Sequence, residues 1–352
     1  MLLYGCNIAA TDIGTEFIAK LRQKTKAQIA ASTTPTGNPA LGGNWKLEVT
    51  TDRMTASLAF PVATQIAYTG VLNASRVSVG LGGNQANNNS FQPALSASGR
   101  YVAFQSNASN LVADDISNFS DIFVYDIQTG ITSRVSVGPG GIEGNNAANG
   151  SPAISVDGRY VAFESYASNL VADDTNNFSD IFVYDTQTRT TSRVSVDSQG
   201  NQGNSVSLSP SVSASGRYVA FESYASNLVA DDTNNFNDIF LYDTQTRTTS
   251  RVSVNSQGNQ GNNASLFPTI SGDGRYVAFD SFASNLVAED TNATRDIFVY
   301  DTQTGTTNRV SVDSQGNQGN GVSFSPAISG DGRYVAFESN ASNLVAEDTN
   351  GT

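Results

Sequence analysis

From about residue 91 onward, apolar and polar positions follow one another in an order that recurs every 58 or 59 residues. In the copy from Pro152 to Val196, a short run of small residues, Pro152-Ala153-Ile154-Ser155, is closed by Val156-Asp157-Gly158 and followed by Arg159 to Glu164. Asp-Gly between two strand-like runs predicts a tight hairpin, because a primed turn needs positive φ at both central residues. After a loop from Tyr166 to Ser179, Asp180-Ile181-Phe182-Val183-Tyr184-Asp185 is apolar without alternation, which predicts a strand buried on both faces. A turn at Thr186 to Arg189 leads to Thr191 to Val196, where polar and apolar residues alternate as on a half-exposed outer strand.

The clearest landmark, Gly-Arg-Tyr-Val-Ala-Phe, ends at Phe104, Phe163, Phe221, Phe279 and Phe337, at spacings of 59, 58, 58 and 58. A fixed period of this size marks one supersecondary unit copied and stacked. Four antiparallel strands per copy, graded from small to bulky to alternating, describe a β-propeller blade. A solenoid also stacks copies, but usually with one strand or a helix pair in each. Full blades are predicted at about 91–137, 151–196, 209–254 and 267–312, with a partial one from 325. Ser75 to Val79 reads as an outer strand ahead of the first full blade. The fifth copy stops before any Asp-Ile-Phe-Val-Tyr-Asp, so the expectation is an open arc and a chain that is a piece of a longer protein.

Ser-x-x-Gly-Arg-Tyr-Val-Ala-Phe-x-Ser, then Asp-Ile-Phe-Val-Tyr-Asp and a Thr-rich turn, resembles the Asp-containing propeller repeat of the TolB or PD40 type, related to WD40 blades. With Asn-Leu-Val-Ala-Asp-Asp-Thr-Asn inserted between the second and third strands, it is similar to repeats of large exported bacterial proteins. The resemblance covers about residues 75–352 and implies an extracellular or cell-surface protein, or a periplasmic one. It speaks for fold rather than function.

Charge divides the chain. Residues 1–74 hold six basic and four acidic residues, whereas the remainder holds 13 Arg, no Lys and 28 acids. The shift places a domain boundary near Asn73. So acidic a surface disfavours nucleic acid and anionic membranes, and no apolar run approaches the ~20 residues that span a bilayer.

In such a blade the loops after the second and fourth strands share one face. Both long loops fall there: the segment starting at Asn110, Asn169, Asn227, Asn285 and Asn343, and the Gly/Asn/Gln-rich connector at 198–204, 256–262 and 314–320. A protein or carbohydrate ligand is therefore expected on that face. It also carries repeated oxygen donors: Asp173, Asp174, Asn176 and Asp180; Asp231, Asp232, Asn234 and Asp238; Glu289, Asp290, Asn292 and Asp296; and, more loosely, Asp114, Asp115, Asn118 and Asp121. Two readings stand. Ca²⁺ needs six to eight oxygens, several of which one such loop supplies; equally, Asn and Asp cap turns without any metal. The repeated Arg, such as Arg159 and Arg193, read as partners for strand acids, and Tyr184 and Tyr300 as core.

In the first seventy residues, Leu2 to Cys6 and Ala27 to Ala31 read as strands flanking a helix over 11–25, which has Ile13, Phe17, Ile18 and Leu21 on one face. Trp45 to Thr50 and Met54 to Phe60 read as a hairpin. This α/β piece resembles the C-terminal part of an uncharacterised domain (number 4347) found near the start of large bacterial adhesin-like proteins. That domain is itself similar to caspase-type folds, in which a Cys acts with a His. Cys6 matches the Cys position, yet the chain has no His, and a thiol of pKa ~8.5 without a base is a poor nucleophile. Only Met1 and Leu2 precede the lipoprotein-like Leu3-Tyr4-Gly5-Cys6, so no export signal is visible.

These observations favour a non-catalytic propeller that serves binding, display or adhesion, with Ca²⁺ as a stiffening ion. A TolB-like periplasmic docking propeller and an inactive caspase-like remnant are the alternatives.

Overall fold

In a computed structural model the chain divides into two compact units, Met1–Arg76 and Val77–Thr352. The structure describes residues 75–346 and 348 and, of the earlier ones, 2–3, 16, 18–21, 23, 29–34, 36–37, 44–47, 49–50 and 71–72. In the first unit, Leu2–Leu3 pairs parallel with Ala30–Ala31, and residues 16, 18–21 and 23 between them are helical. Ile18, Ile29 and Ala31 are buried together, with Leu21 and Val49 packed against them. Ala30–Ala31 also pairs antiparallel with Val49–Thr50, so the segment expected to open a hairpin joins this sheet. Cys6 and the expected strand at 54–60 lie outside the described residues.

The second unit is mainly β, built of propeller blades. Blade two has strands Ala148–Ile154, Tyr160–Ser165, Asp180–Asp185 and Thr190–Arg193, hydrogen-bonded in that order. Blades one, three and four repeat the pattern, from Ser90–Leu95, Ser207–Val212 and Ser265–Ile270 respectively, and the fifth copy contributes Ser323–Ile328 paired with Val335–Ser339. Register is constant: Phe163 faces Phe182, and Tyr160 faces Asp185, as do their counterparts in the other full blades.

Continuous apolar runs form strands here because both sheet faces are covered. Ile122, Val124 and Val135 of blade one pack against Val161, Phe163, Phe182 and Tyr184 of blade two. Ile181, Val183 and Val194, on the opposite face of blade two, pack against Val219, Phe221 and Phe240 of blade three. Successive side chains alternate between neighbours. Phe163, Phe182, Phe221 and Phe240 are fully buried, each burial supplying roughly 1.5–3 kcal/mol. At the ends this cover is missing: Leu95 is 62% exposed where its counterpart Ile270 is 7% exposed, and Tyr334 is 65% exposed. The array is an open one.

Two details depart from the sequence expectation. The outer strand ends at Arg193, after which Val194 still bonds to Ile181 and Val196 bridges to Gln202 in the connector. The first strand begins well before Pro152 and carries a bulge, a register shift between Asn149 and Ala153. The other copies bulge at the same point, with positive φ at Gln92, Ser209, Phe267 and Ser325 and at Gly150 in blade two. Proline follows each bulge closely because a bulge leaves a residue outside the ladder, where a missing N–H costs no bond. Phe91 pairs with Gln105 but Asn149 with Glu164, so the extra residue behind the 59-residue spacing sits in the bulge of blade two.

Candidate functional site

The loops after the second and fourth strands are tied together by one residue per blade. Asn227 donates through Nδ2 to the Gln202 carbonyl at 2.9 Å and accepts from the Asn204 N–H at 2.9 Å. Asn110, Asn169, Asn285 and Asn343 make the same donation to their own connectors. Asn204 in turn donates to Ser226 Oγ at 3.0 Å. The long-loop face is thus a set of fastened loops, and the Asn of Asn-Leu-Val-Ala holds them.

Within this face the structure brings together some of the expected oxygen donors. Asp180 is fully buried, accepting from Ser195 Oγ at 2.5 Å and from Asn176 Nδ2 at 3.3 Å. Arg193 from the outer strand lies between Asp174, at 3.5 Å, and Asp180, at 3.6 Å. Asp173 stays exposed in a left-handed conformation, φ +64°, and offers its carbonyl to Arg193. Blade three repeats this with Asp232, Asn234, Asp238 and Arg251, Asp231 supplying the carbonyl. Blade four does so with Asp290, Asn292, Asp296 and Arg309, Glu289 supplying the carbonyl. Gln318 adds donations to Asp290 at 2.7 Å and Asp296 at 2.9 Å.

A guanidinium therefore stands where Ca²⁺ would, and two carboxylates around one arginine do not fit Ca²⁺ in blades two to four unless the arginine moves. Burial pushes Asp180 and Asp238 up to about 6, against the pull of the serine hydroxyl and the arginine. Blade one differs. Glu143 replaces Gln202, Gln260 and Gln318, and lies 2.6 Å from Arg134 Nη1, with Asp121 at 3.4 Å and Asp115 at 3.7 Å. Oxygens of Asp115, Asp121 and Glu143 lie within 4.8 Å of one another, and burial together with Asp121 pushes Asp115 up to about 7.

The repeated arginines pair with acids of the strands, as expected, in two sets. Arg159, Arg217 and Arg275 each meet the Asp of their own Val-Tyr-Asp or Leu-Tyr-Asp at 2.7 Å. The second set, Arg134, Arg193, Arg251 and Arg309, is nearly buried beneath the loops, with side chains 5–10% exposed. Their depth beneath the loops is not expected from the sequence. Its signal is the fixed offset from Arg193 to the buried Ser195, both on the inward side of an alternating strand. Tyr184 is 8% exposed, as expected of core.

The face also exposes aromatic side chains. Phe119, Tyr166, Phe178, Tyr224, Phe236 and Phe282, on loops between second and third strands, are 39–53% exposed. Arg295 covers the Phe282 ring, 4.8 Å from its centroid.

Residues 1–72 match the model of a domain of unknown function, DUF4347. No curated protein matches the chain. Among solved structures, TolB from Acinetobacter baumannii is similar at 19% identity and TM-score 0.43, over 70% of this chain and 48% of that one. A putative TolB from Agrobacterium tumefaciens is similar at 17% identity and TM-score 0.45, over 72% and 71%. The tricorn protease is similar at 14% identity and TM-score 0.43, over 71% and 24%. The chain spans about half the length of the first of these.

Proposed function

We propose that the propeller unit is a non-catalytic binding module, the display or adhesion part of an exported bacterial protein, with a protein or carbohydrate ligand on its long-loop face. The exposed aromatics Tyr166, Phe178, Tyr224, Phe236 and Phe282 carry this reading. Rings held by fastened loops offer large contact area at small entropic cost, whether to a sugar face or to a protein hot spot. The chain has no His, and Asp180 of the face is engaged by Ser195 and Arg193, which supports a role in holding the loops rather than in catalysis. Placement outside the cell or on its surface, with the periplasm as alternative, rests on the likeness of the repeats to those of exported bacterial proteins.

The test is binding of the full chain to arrays of glycans and extracellular proteins, compared with the Tyr166→Ser, Tyr224→Ser, Phe282→Ser triple variant. Loss of binding by a variant with unchanged melting temperature supports the reading. Ligands that bind both proteins equally sink it.

Stiffening by Ca²⁺ is a second reading; in every blade it requires the arginine to move aside, and blade one, with three carboxylates around Arg134 in place of two, offers an ion the most ligands. Millimolar Ca²⁺ then raises the melting temperature, and Glu143→Gln removes the rise. A shift abolished instead by Asp174→Ala with Asp180→Ala moves the ion to blade two, and no shift ends the reading.

A further inference from the structure

Blade one departs from its neighbours at one point of the long-loop face. Ser106, Ser165, Ser223 and Ser281 end the second strands of the four full blades. The residue after each donates its backbone N–H to the residue just before its own blade's first strand: Asn107 to Asn89, Tyr166 to Ala147, Tyr224 to Val206 and Phe282 to Ala264. The position is the same, yet blade one places a short amide where the others place a ring. A cup of about 310 Å³ lies there, lined by Asn87, Asn88, Asn107, Ser109, Ser117 and Asn118. The loop that follows is also built differently: Asn177, Asn235 and Ala293 stand at φ +59°, +58° and +53°, whereas their counterpart Asn118 is not in the left-handed region.

Hydrogen bonds hold the cup in shape and leave part of its lining unengaged. Asn87 accepts from the Ser109 N–H at 3.0 Å, donates through Nδ2 to Ser109 Oγ at 3.0 Å, and sends its own N–H to Asn110 Oδ1 at 2.9 Å. The Ser117 N–H donates to Glu143. Asn88 Oδ1 accepts from the Asn89 N–H at 2.8 Å, the local closure usual for asparagine in a turn. Asn107 and Asn118 make no such closure: among the described residues, no hydrogen bond engages either side-chain amide. Each therefore offers a carbonyl oxygen and an NH₂ group, and Asn88 offers its NH₂ group besides.

The chemistry of the lining decides the ligand class. It holds no carboxylate, guanidinium or ammonium, and no apolar side chain. A charged ligand would give up water there without meeting a counter-charge, and an apolar one would find no apolar contact. Adjacent hydroxyls of a sugar ring both donate and accept, as the amides do, and so match the lining. Phe119, next to Asn118 in the chain, is 45% exposed and offers an apolar surface for the C–H face of such a ring. We propose that the blade-one cup binds a neutral carbohydrate, with Asn107 and Asn118 hydrogen-bonding adjacent hydroxyls of one sugar. This rests on the reading of the long-loop face as a binding surface, and narrows it to one ligand class and one blade.

Calorimetric titration of the full chain with cellobiose, maltose, lactose and N,N′-diacetylchitobiose tests this. Saturable binding of at least one sugar is expected, with an affinity that does not change between low and high salt. Asn107→Ala with Asn118→Ala should weaken it about tenfold. Asn107→Tyr, which installs the side chain that blades two and three carry, should abolish binding without lowering the melting temperature, and serves as the second arm should the double variant fail to fold. Tyr166→Ser should leave binding unchanged. No binding of any of these sugars, binding that falls as salt rises, or binding that survives Asn107→Tyr overturns the proposal. Loss of sugar binding in Tyr166→Ser but not in Asn107→Tyr overturns the cup while upholding the aromatic face, and a protein ligand lost by the aromatic triple variant upholds that face whatever the sugars do.

Discussion

The ring of Tyr160 in blade two lies so close to Gly216 of blade three that a Cβ on that glycine would stand 2.0 Å from Tyr160 Cδ2. Gly158 over Tyr101, Gly274 over Tyr218 and Gly332 over Tyr276 repeat the contact. Arg159 lies 4.8 Å from the Tyr160 centroid, so the hairpin-tip glycine of one blade closes on a tyrosine that its own arginine also contacts. Gly216 is also at φ +75°. The Gly of Gly-Arg-Tyr-Val-Ala-Phe is therefore needed for its turn and for its neighbour.

Gly216→Ala should destabilise the array by about 2–4 kcal/mol, overpacking adding to the strain of positive φ. Gly200→Ala, at φ +89° with nothing within 4 Å of the added Cβ, should cost about 1 kcal/mol. Urea denaturation of the two variants measures the difference, and equal losses would show that the tyrosine contact is not tight.

Phe221 is fully buried and stacks on Phe240 at 5.9 Å, whereas Phe337, its counterpart in the fifth copy, is half-buried. Phe221→Ala should cost about 3–5 kcal/mol by deletion of core volume. Phe337→Ala should cost less than half as much. Thermal melts of both variants give the comparison.

Arg251→Met leaves Asp232 and Asp238 buried beneath the loops of blade three without their cation. A loss of about 3–5 kcal/mol is expected, as when one member of a buried pair is removed. Adding Asp232→Asn and Asp238→Asn should restore most of it, because the remaining cost is the uncompensated charge. Denaturation of the single and triple variants checks this; a triple variant no more stable than the single one contradicts it.

Stability should peak in mild acid. Burial pushes Asp280 up to about 7 and Asp121, Asp180 and Asp238 to about 6, so the folded protein binds these protons more tightly than the unfolded chain does. Their contribution is complete below pH ~3.9 and is lost as pH rises through 6 to 7. Hydrogen bonds from Arg100 and Arg275 pull Asp126 and Asp301 down to about 2, so their contribution is present above pH ~3.9 and lost as pH falls towards 2. The melting temperature should therefore pass a maximum between pH 4 and 5 and decline towards pH 8. A monotonic rise from pH 4 to 8 would contradict the assignment.

Most of the blade was legible because each strand class leaves a local mark: Asp157-Gly158 for the hairpin, an unbroken apolar run for Asp180 to Asp185, alternation for Thr191 to Val196. The bulge was not. The third blade read as starting at about residue 209, whereas Ser207–Val212 starts earlier and passes through Pro210, and Ser209 bonds to Glu164 of another blade. No local pattern announces such a partner. Arg193 hid for a related reason: alternation marks its face but not the depth to which a long side chain reaches under a loop from the same blade. The oxygen donors of the long loops were legible as a set, while the guanidinium among them was not.

Phe182 and Tyr184 turn towards one neighbour while Ile181 and Val183 turn towards the other. A duplicated stretch of about 58 residues thus arrives already carrying both halves of its own join, one to fit the copy before it and one to receive the copy after. Lengthening demands no compensating substitution anywhere else. The near-identity of Tyr160–Asp185 and Tyr218–Asp243 is what recent growth by such copying would leave behind.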